Sequence, residues 1–280
     1  DEKDFNIVNV QLTKSICELI KSTGKHIPII LTSSTQATLD NSYGKSKLEA
    51  ELILKKLESD TGNPIHIYRL PGVFGKWCKP DYNSVVATFC YNVSNNLSIQ
   101  VNDSSLELNL VYIDDVVGEF INIIQKKQVS KKERSIQPEY KIKLGDLATQ
   151  IELFKETRKS LISERVGVGL VRKLYSTYVS YLPPEQFSYS IPSYGDDRGM
   201  FAEMLKTKDS GQFSFFIAKP GVTRGGHYHH TKTEKFLVVQ GEAKFNFRHI
   251  ISNKTYEINT SGNKLKIIQT VPGWSHDITN

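Results

Sequence analysis

Two groups of residues in this chain have types and spacing suited to chemistry. His227 and His229 are separated by one residue, and Glu234 follows after a short stretch. On a strand, residues two apart point to one face, so the two imidazoles would lie side by side. A short turn returns the carboxylate to them. Imidazole and carboxylate together suit a divalent metal such as zinc. The second group is Tyr43 and Lys47, four apart in a stretch that reads as helix, so they share one helical face. An ammonium beside a phenol favours the phenolate, which makes tyrosine a usable proton donor or acceptor near neutral pH. Ser34 closes the preceding apolar run, where its hydroxyl can hydrogen-bond a substrate oxygen. Tyr-x-x-x-Lys alone also describes two solvated helix residues. The order of strand, Thr32-Ser33-Ser34, short loop, Tyr43, Lys47 and long helix is the more specific signal.

These side chains need elements to hold them. Residues 9–24 carry Val10, Ile16, Leu19 and Ile20 at helical spacing, with Gly24 as a cap. HIPIILTSS reads as a buried parallel strand, SYGKSKLEAELILKKLESDTG as a helix ending near Gly62, and PIHIYRLPGVFG as strand and turn. This alternation predicts an α/β fold with a doubly wound parallel sheet. Residues 76–110 read as a loop, a helix and a short β-ribbon. In that loop Lys76, Lys79 and Trp77 either meet phosphate and base or form exposed lysines around a packed ring. Residues 127–139 read as a polar loop and 145–160 as an amphipathic helix. Pro183-Pro184 breaks any helix, and short β-favouring runs follow. Two domains are therefore expected, 1–185 and an all-β 186–280.

Composition narrows the function classes. Of 280 residues, 39 % are hydrophobic and 24 % charged, ordinary for a globular protein. The net charge of +6 is dispersed, with no basic block of the kind that binds nucleic acid. It suits a phosphate-bearing small substrate. Cys17, Cys78 and Cys90 lack Cys-x-x-Cys spacing and read as reduced thiols, so a cytoplasmic protein is expected. No apolar run approaches the roughly 20 residues of a membrane span. The chain opens on DEKDFN without Met and stops at Asn280 inside a strand-like run, so a fragment lacking both ends is expected.

The Ser34–Tyr43–Lys47 order resembles the extended short-chain dehydrogenase/reductases. Asn9-Val10, Arg69-Leu-Pro-Gly-Val-Phe-Gly75, Val111-Tyr-Ile-Asp-Asp-Val-Val117 and Lys143-Leu-Gly-Asp-Leu147 are similar to further segments of that family. The resemblance implies that Ser34, Tyr43 and Lys47 are catalytic, with Tyr43 protonating a carbonyl oxygen as hydride arrives. It implies NADPH as cofactor, contacted by Tyr43, Lys47 and Arg69; from the loop reading above, Lys76 is expected to contact the substrate. Gly72 replaces the family's Asn, and Leu108 stands where many members have a phosphate-binding Arg. The family's Gly-rich dinucleotide turn lies upstream of this region. Gly167-Val-Gly169 lacks a third glycine, so impaired reductase activity is expected of the fragment.

The run Gly221-x5-His227-x-His229-x4-Glu234-x6-Gly241 resembles the first motif of the cupins, small jelly-roll barrels. Pro272-Gly-Trp-Ser-His276 with Asn280 resembles the second, with Pro272 one place late. The resemblance implies His276 as a fourth metal ligand, and a cupin domain lacking its last strands. Asp197-Arg-Gly-Met-Phe-Ala-Glu203 and Arg224-Gly-Gly-His227 resemble motifs of the cupin-class sugar-nucleotide epimerases. There Arg198 and Arg224 would grip a diphosphate and His227 would serve as a base. His227 thus has two implied roles, ligand and base, and His230, His249 and Tyr228 are further candidate bases.

The pairing of reductase and cupin resembles the bifunctional capsular-polysaccharide enzymes that make UDP-2-acetamido-2,6-dideoxy-L-talose. SSTQAT, FGKWCKPDYNSVVATFCY, LYSTYVSYLP, DDRGMFAE and HYHHTKTEKFLVV carry the likeness. It implies C3 epimerisation of a UDP-4-keto-6-deoxy-N-acetylhexosamine by the cupin, then NADPH-dependent reduction of the C4 ketone, in a homodimer. Two alternatives stay open. One is a reductase whose cupin only binds or dimerises, and the other is a 3,4-ketoisomerase cupin beside a silent reductase fold.

Overall fold

The computed structural model describes residues 2–125 and 135–280. The polar loop expected over 127–139 lies mostly outside them. The chain divides into two compact units, Asp1–Ser188 and Tyr189–Asn280. Among the described residues no helix is long and apolar enough to cross a membrane.

The first unit opens on α1 (Glu2–Phe5), a π-helical stretch Asn6–Gln11 and α2 (Leu12–Thr23) in succession. The helix expected from Asn9 therefore begins earlier, and Asn9-Val10 falls in the π stretch. There Val10 is buried and the Asn9 amide donates to Ser46 Oγ at 3.0 Å. Next come β1 (Ile29–Ser34), a 3-10 turn (Thr35–Thr38), α3 (Ser42–Thr61) and β2 (Ile65–Leu70). β1 and β2 pair in parallel, Ile29 opposite Ile65 through Ser34 opposite Leu70, as a βαβ unit requires. Asn41 caps α3, its side-chain oxygen accepting the Gly44 N–H at 2.7 Å. Gly44 permits a close approach: a Cβ there would lie 2.1 Å from the Gln36 carbonyl oxygen. The helix can thus press its first turn against the 3-10 turn that follows β1.

Pro71 has no N–H to continue the ladder. Beyond it β3 (Gly72–Phe74) pairs in parallel with β4 (Glu107–Tyr112), and β4 pairs antiparallel with β5 (Tyr140–Lys143). β5 departs from the all-parallel expectation, as an antiparallel strand beside a parallel sheet commonly does. The β-ribbon expected within 98–110 does not form. Asp103 accepts the N–H and hydroxyl of Ser105 at 2.9 and 2.6 Å, and the chain turns before β4 begins.

Side chains alternate across β4. Leu110 and Tyr112 enter a core with Phe89 of α4 (Val85–Ser94), Leu147, Ile151 and Phe154 of α6 (Leu144–Ser160), and Leu174 and Tyr178 of α7 (Gly169–Val179). Val111 points the other way, to Tyr68 and to Val116 and Ile123 of α5 (Ile113–Ile124). A third cluster, Cys17, Ile20, Leu54 and Leu57, joins α2 to α3. Burial of each such Leu, Ile or Phe stabilises by about 1.5–3 kcal/mol. The three cysteines are free thiols, and burial pushes the Cys17 and Cys90 thiols up. A two-residue strand, β6 (Ile162–Ser163), lies between α6 and α7.

The second unit is antiparallel β throughout its described pairings. β7 (Ser193–Asp196), β8 (Gly199–Thr207) and β9 (Gly211–Ala218) pair in sequence. β10 (Thr223–His227), β15 (Trp274–Thr279), β12 (Glu242–His249) and β13 (Thr255–Ser261) form a four-stranded sheet in that order. β11 (Lys235–Leu237) pairs with β14 (Ile267–Gln269). Phe216, Phe236, Phe245, Phe247, Ile268 and Ile278, from five different strands, meet in one core.

Candidate functional site

In the first unit, Ser34 ends β1 and its hydroxyl oxygen accepts the Gln36 N–H at 3.1 Å. Tyr43 and Lys47 occupy the first turns of α3, with the Lys47 Nζ 5.6 Å from the Tyr43 ring centre. Lys47 donates to the Thr32 carbonyl at 3.3 Å, which ties the helix back to the strand. Burial pushes the Lys47 ammonium below its ordinary value. The Phe5 ring packs edge-on against Tyr43 at 5.3 Å.

One turn beyond Lys47 on the same face stands Glu51, a residue the sequence reading missed. It is 1 % exposed. Its carboxylate accepts Arg69 Nε and Nη2 at 2.9 and 2.7 Å and the Ser33 hydroxyl at 2.6 Å. Ser33 and Arg69 are register partners across β1 and β2, so one carboxylate clamps both strands to the helix that bears Tyr43 and Lys47. Arg69, expected on the cofactor, is tied here because a buried carboxylate needs a fixed cation. Burial alone would raise the Glu51 carboxyl, but the hydrogen bonds from Arg69 and Ser33 outweigh it and hold it below the ordinary range. Its stabilisation is therefore present above the ordinary carboxylate pKa and is lost as pH falls through the depressed folded value. Arg69→Ala strands a buried charge and is expected to cost about 3–5 kcal/mol, read as a lowered urea midpoint. An unchanged midpoint would show that Glu51 finds other partners.

Lys76, expected on the substrate, follows β3 and holds both oxygens of Asp114 at 2.7 and 2.9 Å. Gly72 and Leu108 lie in the ladder, opposite Leu110 and Ile142.

In the second unit, His227, His229, Glu234 and His276 come together, each offering one donor atom within 4.8 Å of the others. His229 and His276 both place Nε2 at 3.2 Å from Glu234 Oε2. His227 ends β10, whereas His229 and Glu234 lie in the following loop rather than on a strand. The loop is fixed by backbone bonds from Gly273 to the His229 carbonyl and from Thr270 to the Glu234 carbonyl, and by Thr270 Oγ1 accepting the Glu234 N–H. A bulge at Gly225–His227 brings His227 opposite His276. Gly225 and Gly226 supply its positive φ angles of 104° and 82°. A Cβ at Gly225 would lie 2.8 Å from the His276 carbonyl.

Burial pushes the His276 imidazole below its ordinary value, which favours the neutral form that ligates metals. Burial opposes the Glu234 carboxylate, but Lys232, 2.8 Å away, and His229 hold it ionised. A tetrahedral zinc with ligands at about 2.0–2.2 Å separates its donors by roughly 3.3–3.6 Å. The separations of 3.2 Å from Glu234 Oε2 to His229 and to His276 come close to that spacing, and three imidazoles and a carboxylate are a suitable donor set. His249 packs on Trp274 at 5.0 Å and is bonded to Ser252, outside this quartet. Tyr228 and His230 pack edge to face at 5.2 Å.

The structure also brings Arg198 and Arg224 together around Asp196, which the sequence reading missed. Arg198 binds Asp196 Oδ2 through Nε and Nη2 at 3.0 and 2.6 Å, and Arg224 Nη2 lies 4.0 Å from Oδ1. The Arg198 side chain and backbone hold the Asp196 carboxyl down to about 2. Arg224 lies over the Phe216 ring, and its Nε is buried without a protein partner.

Comparison with known proteins shows what the chain is similar to. Residues 1–137 match the NAD dependent epimerase/dehydratase family, and residues 194–280 match the polysaccharide biosynthesis C-terminal domain. A Pseudomonas aeruginosa protein described as UDP-2-acetamido-2,6-beta-L-arabino-hexul-4-ose reductase is 55 % identical over 278 residues, 99 % of this chain and 75 % of that protein. The crystal structure of the capsular polysaccharide assembling protein CapF from Staphylococcus aureus matches with a TM-score of 0.91 and 42 % identity, covering 99 % of this chain and 76 % of that one. Thermus thermophilus UDP-glucose 4-epimerase in complex with NAD, at 13 % identity and TM-score 0.51, covers 63 % of this chain and 70 % of its own, and shares the Rossmann-like fold.

Proposed function

The chain belongs to the family of the UDP-2-acetamido-2,6-beta-L-arabino-hexul-4-ose reductases, nucleotide-sugar enzymes of polysaccharide biosynthesis, and from that premise we propose a two-step catalyst. The all-β unit is a cupin that epimerises C3 of a UDP-4-keto-6-deoxy-N-acetylhexosamine. The α/β unit then reduces the C4 ketone with NADPH. The observation that carries the reductase half is Tyr43 with Lys47 on one face of α3, which Lys47 ties to β1 through the Thr32 carbonyl.

When bound, NADPH supplies the hydride. Tyr43 and Lys47 would hold its nicotinamide ribose. Tyr43 donates its phenolic proton to the C4 oxygen as negative charge develops there. Lys47 favours the phenolate that remains. Ser34 hydrogen-bonds the same oxygen and keeps it within reach of the phenol. Glu51 acts at one remove, because it fixes Ser33 and the helix together.

His227, His229, Glu234 and His276 would hold a divalent ion. When bound, that ion would supply positive charge to an enolate oxygen. Arg198 and Arg224 orient the diphosphate, for which planar guanidinium forks are well shaped. The order of steps follows from acidity. The C4 ketone makes the C3 proton labile, so epimerisation precedes reduction. Buried Cys17 and Cys90 suit a reducing cytoplasm, and a homodimer is part of the proposal.

The reductase half is tested by adding the UDP-4-keto sugar with NADPH and following nicotinamide absorbance. Oxidation matched to ketone consumed is expected once the Gly-rich dinucleotide turn is supplied upstream of residue 1, and little of it from residues 1–280 alone. No oxidation by that longer chain with either NADPH or NADH would remove this half.

A further inference from the structure

Between β3 and α4 the chain makes a loop that leaves its largest ring exposed. Trp77 is 88 % exposed and Tyr82 73 %. Trp77 also has a φ of +67° and Asp81 one of +52°, a region that non-glycine residues enter only under constraint. The constraint is visible. Lys76 is locked by both oxygens of Asp114, Tyr181 donates to the Cys78 carbonyl, and the Asp81 N–H donates to Thr88 Oγ1. The loop is thus pinned on each side of Trp77, and the ring is left in solvent. A Trp held open by a rigid frame has gained nothing from burial, so its position calls for a ligand.

The surroundings say what kind. Lys76 Nζ lies 5.3 Å from the Trp77 ring centre, and Lys79 Nζ lies 5.7 Å from that of Tyr82. Two cations beside two open aromatic faces suit a molecule with a flat base and a phosphate chain. The loop leaves the carboxyl end of β3, where ligands of open α/β sheets bind. Ser34 is level with Leu70. Phe74, the end of β3, stands four residues further along, about 13 Å at roughly 3.3 Å per residue. A nucleotide sugar separates its base from its reacting carbon by a ribose and a diphosphate, in keeping with that offset.

We propose that Trp77 is the platform on which the uracil of the UDP-sugar stacks, with Lys79 beside the diphosphate. This rests on the reading of the α/β unit as a UDP-sugar reductase. It makes Trp77 a specificity-determining residue, remote from the proton chemistry.

The test measures binding of UDP and of inorganic pyrophosphate to the full chain by calorimetry, for wild type, Trp77→Ala and Trp77→Phe, together with steady-state reduction. Trp77→Ala is expected to weaken UDP binding about tenfold or more, the loss of one base–aromatic stack. Pyrophosphate binding should be unchanged, KM raised and kcat nearly constant, with Trp77→Phe between. Because the ring is exposed, the unfolding midpoint should not move. Equal UDP affinity in wild type and Trp77→Ala overturns the inference and leaves an exposed ring suited to a protein partner. So does a wild-type chain that does not bind UDP. Trp77-dependent UDP binding without ketone reduction would overturn the reductase reading while leaving this assignment standing.

Discussion

Tyr43→Phe is expected to lower the rate of C4 ketone reduction by about 10²–10⁴-fold, the range for loss of a positioned general acid, while exchange of the C3 proton continues. The phenol is the proposed proton source, and phenylalanine removes only its oxygen. The ring contact with Phe5 at 5.3 Å and the position over Lys47 at 5.6 Å are kept, so the fold should be retained. A loss confined to the transition state lowers kcat and kcat/KM together and leaves KM alone. Stopped-flow oxidation of NADPH measures the first effect, and loss of solvent deuterium uptake would be the wrong outcome for the second. A rate within tenfold of wild type would move the acid role away from Tyr43.

The second large effect is at Glu234. Its Oε2 is the shared partner of His229 and His276 at 3.2 Å each, and its Oε1 binds Lys232. Glu234→Ala removes a donor and frees two imidazoles to repel each other when protonated. Even an outer partner's loss commonly weakens metal binding 10–100-fold, so a loss of at least about that size is expected here, read by metal analysis after dialysis. Deuterium uptake at C3 should fall with it, and reduction of an already epimerised ketone should persist. His227→Ala separates the two roles of that residue. Its donor atom lies within 4.8 Å of the other three, so metal content is expected to fall as well. Retained metal with lost exchange would instead identify His227 as the base.

The parts of these sites legible in the sequence are those set by local periodicity. Tyr43 and Lys47 lie one helical turn apart, and the strand–turn–helix order around them follows from apolar runs and the Gly62 end of α3. What the sequence did not disclose depends on register and on turns. Glu51 could have been read as the next residue on the Tyr43–Lys47 face, but its partners were hidden, because Ser33 and Arg69 become neighbours only through the pairing of β1 with β2. His229 was expected on a strand with His227. The bulge at Gly225–His227 and the end of β10 place it in a loop, where Gly273 fixes its carbonyl. The ribbon before β4 failed for a local reason, since Asp103 captures Ser105 in a turn. The Arg198–Asp196–Arg224 cluster joins the turn after β7 to β10, a juxtaposition that spacing along the chain does not reveal.

The central claim is that one chain exchanges a proton at C3 and then reduces the ketone at C4. The most direct measurement is incubation of the wild-type protein with the UDP-4-keto-6-deoxy sugar and NADPH in deuterated water, followed by NMR of the product. The account predicts a C4 alcohol carrying deuterium at C3 with inverted configuration. A reduced product with protium and unchanged configuration at C3 would contradict it.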